Sequence, residues 1–299
     1  MGMQLFPKSR KRRIAVVLVL LVYTLLMAFG AVGDRLILYP STDPLNVRGT
    51  SRVEVPMAGG RAVEVWKARS LGAGSGAGIE PRAFVLEFIG NASRGEYMAA
   101  ASAQEWGERP VEVWAVNYPG YGGSPGPARL ASIAPSALAA YDALRAVAGE
   151  RPIFVGGQSL GTAAALHVAA HRPVAGTVLW SPPPLRHMIL KRFGWWNLWL
   201  VAGPIAMGVP PELDSLRNAR RVGAPGLFVI TGQDTVVPIV YQTAVADAYR
   251  GEKRYVRLPE SEHNAVLEGV AATEYQAGLD WLWSRAVEGV NAKTPRPAR

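Results

Sequence analysis

Hydrophobic and polar positions divide the chain into three regimes. Residues 14–33 form a run without charge, IAVVLVLLVYTLLMAFGAVG. From about residue 50 onward, short apolar runs alternate with longer Ala- and Leu-rich stretches. The runs at 83–89, 111–117, 152–156, 176–180, 226–231 and 254–258 are each bounded by Gly, Pro or polar residues, as expected of strands buried on both faces of a parallel sheet. Two further strands are predicted at 52–56 and 61–68, joined by a turn at Gly59-Gly60. Helices are predicted at 96–106, 133–148, 160–171, 240–249 and 273–287, and the Gly/Ala/Ser-rich stretch 71–78 reads as a loop. Strand and helix in alternation imply a mostly parallel, doubly wound α/β sheet. Between 182 and 222 the rhythm stops. That interval has no strand pattern and carries Phe193, Trp195, Trp196, Trp199 and several prolines, so it reads as a cap inserted between two strands.

The uncharged N-terminal run is long enough, at about 1.5 Å per helical residue, to cross a hydrocarbon core about 30 Å thick. Lys8, Arg10, Lys11, Arg12 and Arg13 precede it, and only Arg35 follows closely. The positive-inside rule keeps residues 1–13 in the cytoplasm and places the rest on the far side. A cleaved signal peptide competes with this reading, because Ala28/Gly30 and Ala31/Gly33 offer small residues at a cleavage site. Its apolar region would exceed the usual length of about 7–15 residues. The expectation is a single-pass membrane protein, or a secreted one if the segment is removed.

Charge alters this picture little once it is located. The net charge of +9 is concentrated in that N-terminal cluster and in a basic tail at 289–299 containing Lys293, Arg296 and Arg299. The body between is nearly neutral, with no basic stripe to follow a phosphate backbone, so nucleic-acid binding is not expected. The chain has no cysteine, which excludes disulfides, thiolate metal sites and a cysteine nucleophile. Its four histidines lack carboxylates at ligand spacing, so neither a metal nor another cofactor is expected.

The sharpest chemical signal is Gly157-Gln158-Ser159-Leu160-Gly161, a G-x-S-x-G sequence between a predicted strand and a predicted helix. There the flanking glycines permit a tight, strained turn that lifts the serine hydroxyl clear of the sheet. A serine needs a base. His167 and His171 lie on the following helix and project away, and His187 lies in the cap. His263 follows the last strand and fits the order Ser…Asp/Glu…His. Asp234, after the preceding strand, is the expected orienting acid. Its rival Asp247 falls inside a helix, and Glu260 and Glu262 lie too near His263 in sequence. Two backbone N–H groups are needed for an oxyanion hole; Leu160 and Asn91 are the expected donors. Asn91-Ala92-Ser93 also matches a glycosylation sequon, read as coincidence because a sugar would block the site.

Together these segments resemble the α/β-hydrolase superfamily, and within it the membrane-associated ABHD-type serine hydrolases. Asn117-Tyr118-Pro119-Gly120-Tyr121-Gly122-Gly123-Ser124 resembles that group's Tyr-Pro-Gly-Tyr-Gly segment. Leu38-Tyr39-Pro40 resembles its entry into the domain, and 211–220 its return from cap to sheet. The resemblance covers roughly 35–288 and implies an α/β-hydrolase fold with a cap at about 182–222, preceded by one transmembrane helix. Two departures stand out. Ile89 occupies a position often held by His in the family's oxyanion loop, and Gln233 alone separates Gly232 from Asp234.

The implied activity is cleavage of an ester, thioester or amide of an apolar, lipid-like acyl substrate through an acyl-enzyme on Ser159. The Trp-rich cap either shapes an acyl pocket, contacts the bilayer or packs on its own core. A catalytically weak or inactive, membrane-anchored hydrolase-fold scaffold is the alternative that Ile89 raises. An aminopeptidase-type peptidase is another, and it would need a charged pocket for the substrate amine; Glu212 and Asp214 read as surface charges instead.

Overall fold

The computed structural model describes residues 9–29, 32–73, 79–195 and 199–288. Residues 1–8, the tail from 289, Trp196 and most of the loop expected at 71–78 lie outside them. Eight strands form one sheet: β1 (Thr50–Met57), β2 (Arg61–Arg69), β3 (Ala83–Phe88), β4 (Val111–Asn117), β5 (Ile153–Gln158), β6 (Gly176–Trp180), β7 (Gly226–Thr231) and β8 (Lys253–Leu258). Their order across the sheet is β1-β2-β4-β3-β5-β6-β7-β8. β1 pairs antiparallel with β2, and β2 with β4; every other pairing is parallel.

Helices α3 (Gly95–Trp106) and α10 (Gly269–Trp283) cover one face. On the other lie α4 (Leu130–Ala148), α5 (Leu160–His171) and α9 (Ile239–Ala248). The strand side chains alternate between these layers, as the two-residue period of a strand requires. Phe84, Leu86 and Phe88 of β3 enter the core beneath α4 and α5, while Ala83 and Val85 enter the one beneath α3 and α10. Each buried Phe or Leu contributes about 1.5–3 kcal/mol, so every central strand is pinned from both sides. A slip of one residue would exchange the two sets.

Between β6 and β7 the chain forms α6 (Leu185–Phe193), α7 (Ala202–Gly208) and the short α8 (Ser215–Ala219). Leu185, Met188, Ile189, Ile205 and Ala206 are buried there and join the core on the α4/α5 face. Trp195 and Trp199 do not: they are 69% and 51% exposed.

The N-terminal run differs from the expected single span of 14–33. Among the described residues helix α1 covers Arg10–Phe29 and helix α2 covers Val32–Ile37; Gly33 of α2 is buried against Ile205, inside the protein and not in a bilayer. The uncharged part of α1, residues 14–29, rises about 24 Å, short of the roughly 30 Å of a hydrocarbon core. Among the described residues no helix is long and apolar enough to cross a membrane. Along α1, which packs against α7, the side chains of Val17, Leu18, Val19, Leu21 and Val22 are exposed.

Candidate active site

Ser159 sits where β5 passes into α5, at the carboxyl ends of the parallel strands, and is 9% exposed. Its φ of 51° and ψ of −121° place a non-glycine residue in the left-handed half of backbone space, a strained conformation that persists only when its surroundings impose it. They do so here through hydrogen bonds and close packing. The Ser159 N–H donates to the Trp180 carbonyl of the neighbouring strand at 2.8 Å, and the Ser159 carbonyl accepts from the Thr162 N–H and Oγ1 at 2.9 and 2.7 Å. A side chain at Gly161 would overlap the carbonyl of Phe88, and one at Gly157 would meet the backbone of Gly161. The two glycines of the motif are therefore required by the approach of β3 and by the tightness of the turn.

Asp234 lies in the loop after β7 with its side chain fully buried. Its Oδ1 accepts from the N–H groups of Val236 and Val237 at 2.8 and 2.7 Å. Its Oδ2 accepts from Thr231 Oγ1 at 3.0 Å and Gln242 Nε2 at 3.2 Å, and stands 2.6 Å from His263 Nδ1. Burial pushes this carboxyl up, but the bonds from His263, Val237 and Thr231 outweigh it and hold the group below the ordinary aspartate range. The loop after β8 thus places His263 with one ring nitrogen on Asp234, leaving Nε2 for the cleft. Ser159, His263 and Asn91 line a common cleft of about 660 Å³.

The other titratable candidates lie apart from this pair. Asp247 is an exposed residue of α9. Glu260 accepts from Gln233 Nε2 at 2.7 Å. His167 and His171 stack on one another along α5 with ring centroids 4.3 Å apart, and burial, then His171, lowers His167 to about 4. His187 packs edge-on against Tyr241.

Leu160 is the first residue of α5, so its N–H has no intrahelical acceptor. Asn91 follows Gly90, where a Cβ would stand 3.2 Å from the Gln158 carbonyl. The Asn91 side chain is committed elsewhere: Nδ2 donates to the Ile37 carbonyl, while Oδ1 accepts from the Tyr39 N–H and Tyr121 Oη, both at 2.9 Å. The amide of the sequon is thereby occupied, and the loop is tied both to the segment after α2 and to the Tyr-Pro-Gly-Tyr-Gly turn. Ile89 is fully buried in the core, and its carbonyl accepts from Tyr118 Oη at 3.3 Å. Where a His was expected to support the loop, Tyr118, Tyr121 and Asn91 hold it.

Sequence reasoning passed over Gln242. In this fully buried residue of α9, Nε2 lies within hydrogen-bond distance of the Thr231 carbonyl, Thr231 Oγ1, the Val237 carbonyl and Asp234 Oδ2, and Oε1 accepts from the Thr231 N–H. It locks the acid loop to the end of β7. An amide within an otherwise apolar helix face was the available signal.

A second cavity, of about 390 Å³, adjoins Ser159 beneath the cap and is lined by Leu36, Ile37, Leu185, Met188, Ile189 and Val237, among others. Its walls are mainly aliphatic residues of α2, α6 and the acid loop, with Arg192 and Phe193 of α6 also present. Of the cap aromatics singled out in the sequence, Phe193 lines it, Trp195 and Trp199 do not, and Trp196 lies outside the described residues.

Residues 72–247 match the model of the alpha/beta hydrolase family. Over 157 residues the chain is 31% identical to the uncharacterized proteins Rv2307c and MT2364 of two Mycobacterium tuberculosis strains, a match covering 52% of this chain and 53% of theirs. The chain thus spans about half the length of the curated relatives it matches. Among solved structures it is similar to the esterase Pf2001 of Pyrococcus furiosus, with a TM-score of 0.63, 15% identity, and coverage of 84% of this chain and 97% of that one. The acetyl xylan esterase of Paenibacillus sp. R4 gives a TM-score of 0.61 at 15% identity, covering 88% and 94%. At such identities the likeness is one of fold. With a family match over more than half its length, on a sheet of this order and with a strained serine between β5 and α5, the chain belongs to the alpha/beta hydrolase family.

Proposed function

We propose that the protein is a serine hydrolase that cleaves an ester, thioester or amide of an apolar acyl group through a covalent intermediate on Ser159. The observation that carries this reading is the strained serine at the cleft that also receives His263, whose other ring nitrogen is held by a buried aspartate. His263 Nε2 takes the hydroxyl proton as Ser159 Oγ attacks the acyl carbonyl. The N–H groups of Leu160 and Asn91 stabilise the charge that develops on the carbonyl oxygen. As the tetrahedral intermediate collapses, His263 returns the proton to the leaving oxygen, sulfur or nitrogen. Water, deprotonated by the same imidazole, then releases the acid. Asp234 keeps the ring in the required tautomer and stabilises the imidazolium without taking the proton. The aliphatic cavity beneath the cap accepts the acyl chain.

The test is labelling with a fluorophosphonate probe. Wild-type protein is expected to label and Ser159→Ala to lose the label entirely. A folded wild type that does not label, or an undiminished signal from the variant, overturns the assignment.

We also propose that α1 attaches the domain to a membrane surface. Support comes from the exposed apolar side chains of α1 and from Trp199, Leu200 and Met207, which line a surface groove beside Leu20. Carbonate-resistant sedimentation of the full chain, lost when residues 1–29 are removed, is the expected outcome.

A further inference from the structure

Register alternation along β3 sends Ala83 and Val85 into the core beneath α3 and α10, and the next residue on that face is Glu87. Glu87 is 7% exposed and stands opposite Gly156 of β5 in the sheet. A methyl group at 156 would overlap its carboxylate. One Glu87 oxygen accepts from Ser102 Oγ at 2.9 Å; no described residue donates to the other. A second acid, Glu105, approaches from α3 with its Oε2 accepting from Tyr275 Oη at 2.8 Å. Both carboxyl groups line a cavity of about 250 Å³, together with Ser102, Tyr97, Trp180 and Gln158. Tyr97, Ser93 and Gln158 also line the cleft that contains Ser159 and His263, so the two spaces meet at the residue preceding the nucleophile.

An isolated carboxylate inside a sheet–helix core is costly unless a donor meets it. The unpaired Glu87 oxygen, the neighbouring second acid and the aromatic walls at Tyr97 and Trp180 make up the set that receives an organic ammonium ion, by charge-assisted hydrogen bonds and by attraction to ring faces. We propose that this acidic cavity is a substrate subsite that binds a protonated amine, so that the substrate carries a cationic group a few bonds from the scissile carbonyl and an apolar acyl chain on its other side. The assignment rests on the hydrolase reading of Ser159 for the word substrate. The cavity's affinity for an amine stands independently of it.

The titration state of the cavity is consistent with this role. Burial, then the Glu105 charge, raises Glu87 to about 8, and burial raises Glu105 to about 6. The other titratable groups here are Tyr97 on the wall and Tyr275 behind Glu105. With the cavity empty at neutral pH, Glu87 retains its proton. An arriving ammonium ion restores the charged form and expels that proton to solvent.

The experiment pairs a binding measurement with a rate measurement. Calorimetric titration of the full chain with butylammonium and with butanol is expected to show roughly tenfold or greater preference for the cation, the size of one charge-assisted hydrogen bond. Proton release on binding should appear as a dependence of the heat on the buffer's ionisation enthalpy. Glu87→Gln, which keeps a partner for Ser102, and Glu105→Gln are each expected to reduce the preference and the proton release. In parallel, kcat/KM is compared for the 4-aminobutyl and pentyl esters of butanoic acid, which differ by a terminal ammonium against a methyl group. A higher value for the charged ester in wild type, with the ratio falling toward one in Glu87→Gln, supports the subsite. Equal affinity for butylammonium and butanol in folded wild type overturns it, as does a charged-to-neutral ratio unmoved in both variants. Cation binding without hydrolysis of either ester supports the cavity and counts against the hydrolase reading, so the two failures are distinguishable.

Discussion

Asp234 and Glu87 are both buried carboxyl groups, and their partners drive them in opposite directions. Four donors and an imidazole surround Asp234 and keep it charged. Because its folded value is depressed, it contributes stability above the ordinary aspartate range, about 4, and that contribution is lost as the pH falls through the lower folded value. Asp234→Asn should therefore remove part of the acid sensitivity of unfolding, while lowering kcat by about 10⁴ through loss of the correct imidazole tautomer. Acid titration of unfolding and steady-state kinetics check the two halves. Glu87 has the reverse sign. Its folded value of about 8 lies above the ordinary glutamate value of 4.5, so it stabilises the fold at low pH and does so less and less as the pH rises between those two values. Denaturant unfolding from pH 5 to 8 should show this decline, and Glu87→Gln should flatten it. Gln242 is a positioning residue. Gln242→Leu leaves the Thr231 N–H and carbonyl unpaired and frees Asp234 to tilt, at a cost of about 1–3 kcal/mol in stability. A drop in kcat larger than any change in KM would separate positioning from a merely structural role.

At the level of the elements, the turn between β5 and α5 is shaped by its neighbours as much as by its own residues. Phe88 at the end of β3 comes so close to Gly161 that no side chain fits. Gly161→Ala must move β3 or α5 or leave the serine out of place, and we expect a loss of more than about 3 kcal/mol, the range of severe core overpacking. Thermal unfolding of the variant measures it. The cap contributes in a different way. Its helices α6 and α7 bury Leu185, Met188, Ile189 and Ile205 into the main core, so it is a continuation of that core and not a separate body resting on it. Trp195 and Trp199 are exposed. Trp195→Ala and Trp199→Ala should leave acyl-chain preference unchanged and weaken membrane association of the full chain, which vesicle sedimentation reads directly.

Over the whole molecule the groups of the proposed site come from segments far apart in sequence: the loop after β3, the turn after β5, and the loops after β7 and β8. All four lie at the carboxyl ends of parallel strands, where the fold leaves a crevice between helices of opposite faces. The two cavities beside that crevice differ in chemistry because they lie on different sides of the sheet. The aliphatic one is roofed by α2 and α6, and the acidic one is walled by α3 and β6. Helices α1 and α2 add a further layer against α7, with Asn91 gripping the end of α2 and the residues just after it.

The local pattern was enough for most of this architecture. Runs such as 111–117 and 226–231 are too apolar and too short to be anything but buried strands, and a serine between two such glycines at a strand–helix junction has one stereochemical use. Asp234 and His263 could be chosen because chain order narrows the candidates for each role. What local pattern lacks is information about which strands become neighbours. The order β1-β2-β4-β3-β5, the burial of Gly33, the burial of Gln242 and the meeting of Glu87 with Glu105 all depend on contacts between distant segments. In one dimension Glu87 is a single acid in a hydrophobic run. Its cost, and hence its meaning, arises only when Gly156 and α3 close over it. Period and turn chemistry act within a few residues and so are written along the chain. Desolvation and pairing act across space, and only the folded molecule decides them.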